Sequence, residues 1–283
     1  MKKKYAIIVL ILLISIFIIT CKNENRQYDI ITSIIPIKLI INEITGNSVD
    51  SYPIVKEEPH HYTPTLDDIK IITESKLYFL IGAPNLEAEI IIDSIVKDKK
   101  VNKINLFSNL KPIRIDNSEN INPHLWLSFE NSIIIAESIS LELIKLYPEK
   151  KEIIELNLEK FKKEINLIKN NILQVVTELK NYNIIQIHPA WDYIFKEIGV
   201  DVITLSTGEI HSISIKDIEN LKKYFDKNKK TVIISSAEFK GELPSELLKI
   251  SDKIIELDPI GTEYNSFIEL IKKNIQNIKN IVK

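Results

Sequence analysis

The feature that most constrains this chain is a run of about thirty residues, 149–179, that holds neither glycine nor proline and is dense in lysine and glutamate. Within it Ile154, Leu158, Phe161, Ile165, Ile168, Ile172 and Val175 recur at steps of three and four, which trace one apolar stripe along a helix. At 1.5 Å per residue such a helix would be about 45 Å long, comparable to a whole lobe of a protein. On both sides of it the pattern changes. Short β-branched runs (28–34, 48–55, 76–81, 101–105) alternate with amphipathic stretches (36–45, 65–75, 87–96, 128–146). The same rhythm returns after the long helix, with expected strands at 184–187, 201–205, 231–235 and 253–257. Helices are expected there at 190–198, 215–225, 244–251 and 264–282. Punctuation supports the reading: Pro36 opens one helix, Gly46 closes it, and Thr65 is placed to cap the next, with Asp67 and Asp68 in its first turn. Strand–helix alternation implies parallel sheets covered by helices. The expected fold is therefore α/β: two lobes with parallel sheets flanked by helices, joined by one long rigid helix. The corresponding division is 1–20 leader, 21–147 N-terminal lobe, 148–180 spine and 181–283 C-terminal lobe.

The first twenty residues decide the compartment. Lys2, Lys3 and Lys4 precede an apolar run at 5–20, and Cys21 follows at once. Sixteen helical residues would rise only about 24 Å, short of the ~30 Å hydrocarbon core, which suits a signal peptide better than a spanning helix. Ile18-Ile19-Thr20-Cys21 resembles a bacterial lipobox, although Thr20 stands where Gly, Ala or Ser is usual. The expectation is cleavage before Cys21 and acylation of its sulfur, giving an extracytoplasmic protein anchored to a membrane by lipid. Cys21 is the only cysteine, so no disulfide framework exists and no thiolate remains for metal binding or catalysis. Cleavage would remove three lysines and no acids, taking the formal charge from −2 to −5. A mildly acidic chain argues against nucleic acid as a partner, since that needs basic patches.

The chemistry-bearing residues sit at predicted strand-to-helix connections. His60 lies in Glu58-Pro59-His60-His61-Tyr62-Thr63-Pro64-Thr65, and His124 in Asn122-Pro123-His124-Leu125-Trp126-Leu127. His188 follows a strand and precedes Pro189, and Asp258 ends the last strand in Leu257-Asp258-Pro259-Ile260-Gly261. In a two-lobed α/β protein these connections line the cleft. His60, His124, His188 and Asp258 thus form a candidate metal set from both halves. Three imidazoles and a carboxylate suit tetrahedral Zn2+, with Glu57 or Glu58 placed to offset its charge. Taken singly, a loop histidine is more often a surface or capping residue than a ligand.

Four segments together resemble one family. Pro59-His60-His61-Tyr62-Thr63-Pro64-Thr65 matches a Pro-His-x-Tyr-x-Pro-Thr motif, and Pro123-His124-Leu125-Trp126-Leu127 a Pro-His-x-Trp-Leu motif. His188-Pro189-Ala190-Trp191-Asp192-Tyr193 and Asp258-Pro259-Ile260-Gly261 match the two that follow. The chain over 28–283 resembles the ZnuA/TroA (cluster A-I) metal-binding solute-binding proteins of ABC importers. The resemblance implies that His60, His124, His188 and Asp258 are the metal ligands. It also implies a monomer that delivers its cation to an ABC permease subunit without catalysis. Three departures stand out: Asn122 replaces the usual Asp, Pro189 replaces the usual Asp after the third histidine, and Ser235-Ser236-Ala237-Glu238 lacks the usual Pro and Gln. These touch the groups around the ligands and not the ligands themselves. No His-rich insertion lies between His60 and His124.

Zinc is the expected cargo, because members using manganese often carry Glu where His188 stands and nitrogen ligands favour zinc over manganese. Manganese or iron is the alternative within the class. A zinc hydrolase would need an open coordination position and a base such as Glu58. A lipoprotein with a vestigial site is a third reading. His61 and His211 are read as loop histidines beside the cleft, and Trp126 and Trp191 as packing groups. Because imidazoles must be neutral to ligate, binding should weaken below about pH 6.

Overall fold

In this computed structural model the described residues are 27–57, 59, 62–115, 119–205, 218–219, 221–236, 243 and 245–283. The expected leader with Cys21, together with Glu58, His60, His61, His211 and residues 215–217 and 220 of the expected helix at 215–225, lies outside them; the described part of that helix includes a 3-10 turn, Lys222–Tyr224.

The first lobe runs β1 (Ile30–Ile34), α1 (Ile35–Thr45), β2 (Ser51–Val55), α2 (Leu66–Glu74), β3 (Leu77–Leu80), α3 (Glu87–Val96) and β4 (Lys103–Asn105). Its strands form one sheet in the order β2-β1-β3-β4, and every pairing is parallel. The sequence of β1, Ile-Ile-Thr-Ser-Ile, is buried at every position, as expected of a parallel strand covered on both faces. The connection leading into α2 is fixed by a capping box. Thr65 Oγ1 accepts from Asp68 N–H, and the Asp68 carboxylate accepts from Thr65 N–H at 2.8 Å.

After α4 (Phe129–Leu146) comes the long helix α5 (Lys151–Leu173), then the single turn α6 (Val176–Leu179). The expected thirty-residue helix is therefore 23 residues, or about 35 Å. It stops at a turn of two residues, Gln174-Val175, after which the chain is helical again for the single turn α6. The stripe is as expected: Ile154, Phe161, Ile165, Ile168 and Ile172 are buried.

The second lobe repeats the first. It runs β5 (Tyr182–Gln186), α7 (Asp192–Ile198), β6 (Ile203–Thr204), β7 (Lys230–Ser235), α8 (Ser245–Leu248), β8 (Lys253–Glu256) and α9 (Phe267–Lys279). The sheet order is β6-β5-β7-β8, again wholly parallel. In each lobe the strand order reverses beside the first strand, which creates a crevice at the carboxyl ends of the strands.

The lobes share their main core, while a smaller apolar cluster around Ile185, Ile233 and Leu247 belongs to the second lobe alone. The last helix, α9, crosses back to α5 and α1: the Phe161 and Phe267 rings lie 5.9 Å apart, and Lys272 pairs with Glu164 at 2.7 Å. Each lobe also caps a helix of the other. Glu43, from α1, accepts from Ser266 Oγ and from Ile268 N–H at the start of α9. Glu197, from α7, accepts from Ser128 Oγ at the start of α4 and pairs with Lys169 of the spine at 2.9 Å. Both serines also cap their own helices, accepting from Glu269 N–H and Asn131 N–H. A half-buried charge that caps a helix is worth more than a surface pair. Glu197→Ala is expected to lower the unfolding free energy by about 2 kcal/mol, with Glu197→Gln costing less because it still accepts from Ser128. Urea unfolding of the two variants checks this, and an unchanged midpoint in Glu197→Ala would refute it.

Candidate metal site

Two of the predicted residues meet. His124 begins a short 3-10 turn (Leu125–Leu127) that leads into α4, and His188 begins another (Pro189–Trp191) that leads into α7. One comes from each lobe. Their Nε2 atoms lie 3.0 Å apart, with the rings edge to face at 4.7 Å between centroids. His188 also lines a small cleft with Trp191, Ser235 and Ser236, at the carboxyl ends of β5 and β7. This is the crevice the sheet order creates. Ser235 and Ser236, which stand where the family usually has other groups, therefore lie beside a ligand candidate.

The histidine from the first lobe is held from two sides by the second. Trp126 Nε1 donates to Pro259 O at 2.8 Å, tying the His124 turn to the Asp258 loop, and the Trp126 ring lies 5.3 Å from the His124 ring. Asn122 Nδ2 donates to Pro189 O at 2.6 Å, tying the same turn to the residue after His188. Tyr193 Oη donates to Asn122 O at 2.7 Å and accepts from Ile113 N–H at 3.2 Å. Burial raises the Tyr193 phenol well above its ordinary range, so it stays protonated and can donate. Trp126 and Trp191 are both buried and pack around the pair, as expected of them.

Asp258 is arranged differently. Its Oδ1 accepts from Ile260 N–H at 2.9 Å and Gly261 N–H at 2.8 Å, while Asn274 clamps its backbone from α9. Gly261 takes φ +79°, and a Cβ there would lie 2.7 Å from Leu270 and 3.0 Å from Leu39, so the turn requires glycine. One carboxylate oxygen is thus committed to the loop. Among the described residues no group of three or more His, Cys, Asp or Glu side chains converges to hold a metal, so the structure joins His124 to His188 but does not close Asp258 onto them. His60 lies outside the described residues. Its flanks are held: Tyr62 Oη donates to Asp68 at 2.6 Å, and Thr262 Oγ1 reaches Lys56 O at 3.5 Å, bringing the Asp258 loop against the strand that leads to His60.

Sequence reasoning missed Asp192 and Gln186 as parts of this site. Asp192 accepts from Asn122 Nδ2 at 3.0 Å and from Gln186 Nε2, and Gln186 also bonds Thr204 Oγ1 at 2.8 Å. Asp192 stood inside a matched segment, but nothing in its spacing says that it faces Asn122, seventy residues earlier.

The family model for ZnuA, described as zinc-uptake complex component A, periplasmic, matches residues 30–281. The chain belongs to this family. Its members are metal-binding solute-binding proteins of ABC importers. A relative in Thermotoga maritima, provisionally named a metal-binding protein, is 27% identical over 282 residues, which is 96% of this chain and 99% of the relative. The fold is shared with a zinc-bound deletion variant of ZnuA, at TM-score 0.73 and 22% identity over 88% of this chain and 96% of that one. It is also shared with FpvC of Pseudomonas aeruginosa in complex with Mn2+, at TM-score 0.73 and 19% identity over 90% of this chain and 100% of that one. Two parallel-sheet lobes joined through a long helix are thus the architecture of this ZnuA family member, as expected from its sequence.

Proposed function

We propose that this ZnuA family member captures Zn2+ between its lobes through His60, His124, His188 and Asp258 and hands it to an ABC permease, while acyl chains on Cys21 hold it at the membrane as a monomer. The observation that carries the reading is the pair of Nε2 atoms from opposite lobes, 3.0 Å apart. Two imidazole nitrogens each about 2.0–2.1 Å from one zinc ion sit slightly farther apart than this, so a cation entering between them needs only a small separation of the rings. The Asp258 carboxylate would ligate through Oδ2, because Oδ1 holds its own loop. Imidazole donors favour zinc over manganese, and the carboxylate lowers the net charge of the loaded site. The protein is a carrier and not an enzyme: four protein ligands leave no open position for a reacting water. The reciprocal caps by Glu43 and Glu197 keep the lobe movement small, so the permease would sense a local change at the cleft mouth.

Titration of the metal-free mature protein with Zn2+ and with Mn2+ tests the reading. One tightly bound equivalent of zinc, with manganese weaker, is expected. No binding, or manganese binding tighter than zinc, would overturn the zinc reading, and turnover of ester or peptide substrates by the zinc form would indicate a hydrolase instead.

A further inference from the structure

Asn122 is fully buried, and its amide bonds at both ends. Nδ2 donates to Pro189 O at 2.6 Å and to Asp192 Oδ2 at 3.0 Å. A peptide carbonyl and a carboxylate accept only, so the NH2 group has to face them and the amide oxygen has to face away. That oxygen accepts from the His124 backbone N–H at 3.0 Å and lies 2.9 Å from His124 Nδ1. An amide oxygen carries no proton, so the proton in this second contact belongs to Nδ1. A neutral ring protonated at Nδ1 has its lone pair at Nε2, and Nε2 is the atom facing His188. The proton between the two rings then sits on His188 Nε2.

We propose that Asn122, oriented from the opposite lobe by Asp192, is a positioning residue that sets the tautomer of His124 and presents its Nε2 lone pair to the arriving cation. The inference rests on His124 and His188 being ligands. The arrangement is a carboxylate–amide–imidazole chain that spans the lobes, with the carboxylate one residue farther from the metal than when an Asp stands at position 122. It explains why Asn is needed in this chain. An Asp at 122 would set a second carboxylate against Asp192 and put an oxygen 2.6 Å from Pro189 O, where an N–H now donates. Asp192 cannot turn aside freely, because Gln186 holds its other oxygen while accepting from Trp191 N–H at 3.2 Å. The amide therefore couples the angle of one candidate ligand to the backbone beside the other.

Two measurements test this. The first is the imidazole nitrogen NMR of 15N-labelled metal-free protein near pH ~8, where a histidine of ordinary pKa is neutral. His124, assigned by loss of its signals in His124→Ala, is expected to show a protonated Nδ1 and a bare Nε2. A bare Nδ1 in the wild-type protein would overturn the inference whether or not metal binds. The second is Zn2+ affinity. Asn122→Asp is expected to bind about 10- to 100-fold more weakly, the usual size of effect for groups that orient a ligand. The exchange Asn122→Asp with Asp192→Asn should recover part of that loss, because it restores one donor and one acceptor between the two positions while leaving an oxygen against Pro189 O. Binding by Asn122→Asp as tight as wild type, or no recovery in the exchange, would overturn the proposal. The predicted tautomer in a protein that binds no zinc would instead refute the ligand assignment and leave the tautomer inference standing.

Discussion

Replacing Glu89 with alanine is expected to cost about 3–6 kcal/mol of folding stability, because it strands two buried donors and one half-buried donor at once. Glu89 is 2% exposed and reaches from α3 to the carboxyl ends of β1 and β3. It accepts from Ser33 Oγ, from Ile81 N–H at 2.7 Å and from Gly82 N–H at 2.6 Å. Gly82 takes φ +76°, and a Cβ there would lie 2.1 Å from Asn105, so the chain can present that N–H only as glycine. The site also predicts a pH dependence. Burial pushes the Glu89 carboxyl up to about 7 from 4.5, with the bonds from Ser33, Gly82 and Ile81 opposing the rise and the nearby Asp93 adding to it. The Tyr78 phenol, raised mainly by its own burial, stays neutral beside it. An acid whose folded pKa is raised binds more protons folded than unfolded between the two values. Stability is then full below about pH 4.5, falls as the pH rises towards 7, and levels off above it, for a loss of about 3 kcal/mol. Urea midpoints for wild type and Glu89→Gln across pH 5 to 8 check the sign, since this slope should vanish in the variant. Parallel profiles would refute it.

His124→Ala and His188→Ala are each expected to weaken zinc binding by about 100- to 1000-fold. Zinc sites of four protein ligands are worth roughly 10–16 kcal/mol, so one ligand carries about 3–4 kcal/mol. Asp258→Asn should cost about as much, because the amide oxygen would accept from Ile260 and Gly261 and leave an NH2 group, which cannot ligate a cation, where Oδ2 stood. The histidine variants should fold normally, since neither ring anchors the hydrophobic core, and circular dichroism with thermal melting would separate lost ligation from lost folding. Zinc affinities unchanged by either histidine substitution would refute the ligand assignment. Acid should weaken wild-type binding as the imidazoles protonate, with the loss beginning near pH ~6.

The architecture was legible in the sequence because its signals are local. Apolar steps of three and four, β-branched runs, Pro36, Gly46 and the Thr65–Asp68 cap each act within one element, so order, parallel sheets and the long helix could be read from spacing alone. The break after Leu173 was the exception. The apolar stripe runs on through Val175, so the spacing gives no sign of the turn at Gln174-Val175 that ends the helix. The motif segments named His124 and His188 as partners, because both stand at strand-to-helix connections, and those open onto the same crevice. What only the tertiary structure decided is how the lobes meet. Glu43 and Glu197 lie on ordinary helix faces in the sequence, and only packing sets each at the start of a helix in the other lobe. Asn122 reads as one departure from a motif, until Asp192 faces it from seventy residues away. Such contacts depend on the relative placement of two separately patterned halves, and periodicity within either half carries no information about that placement.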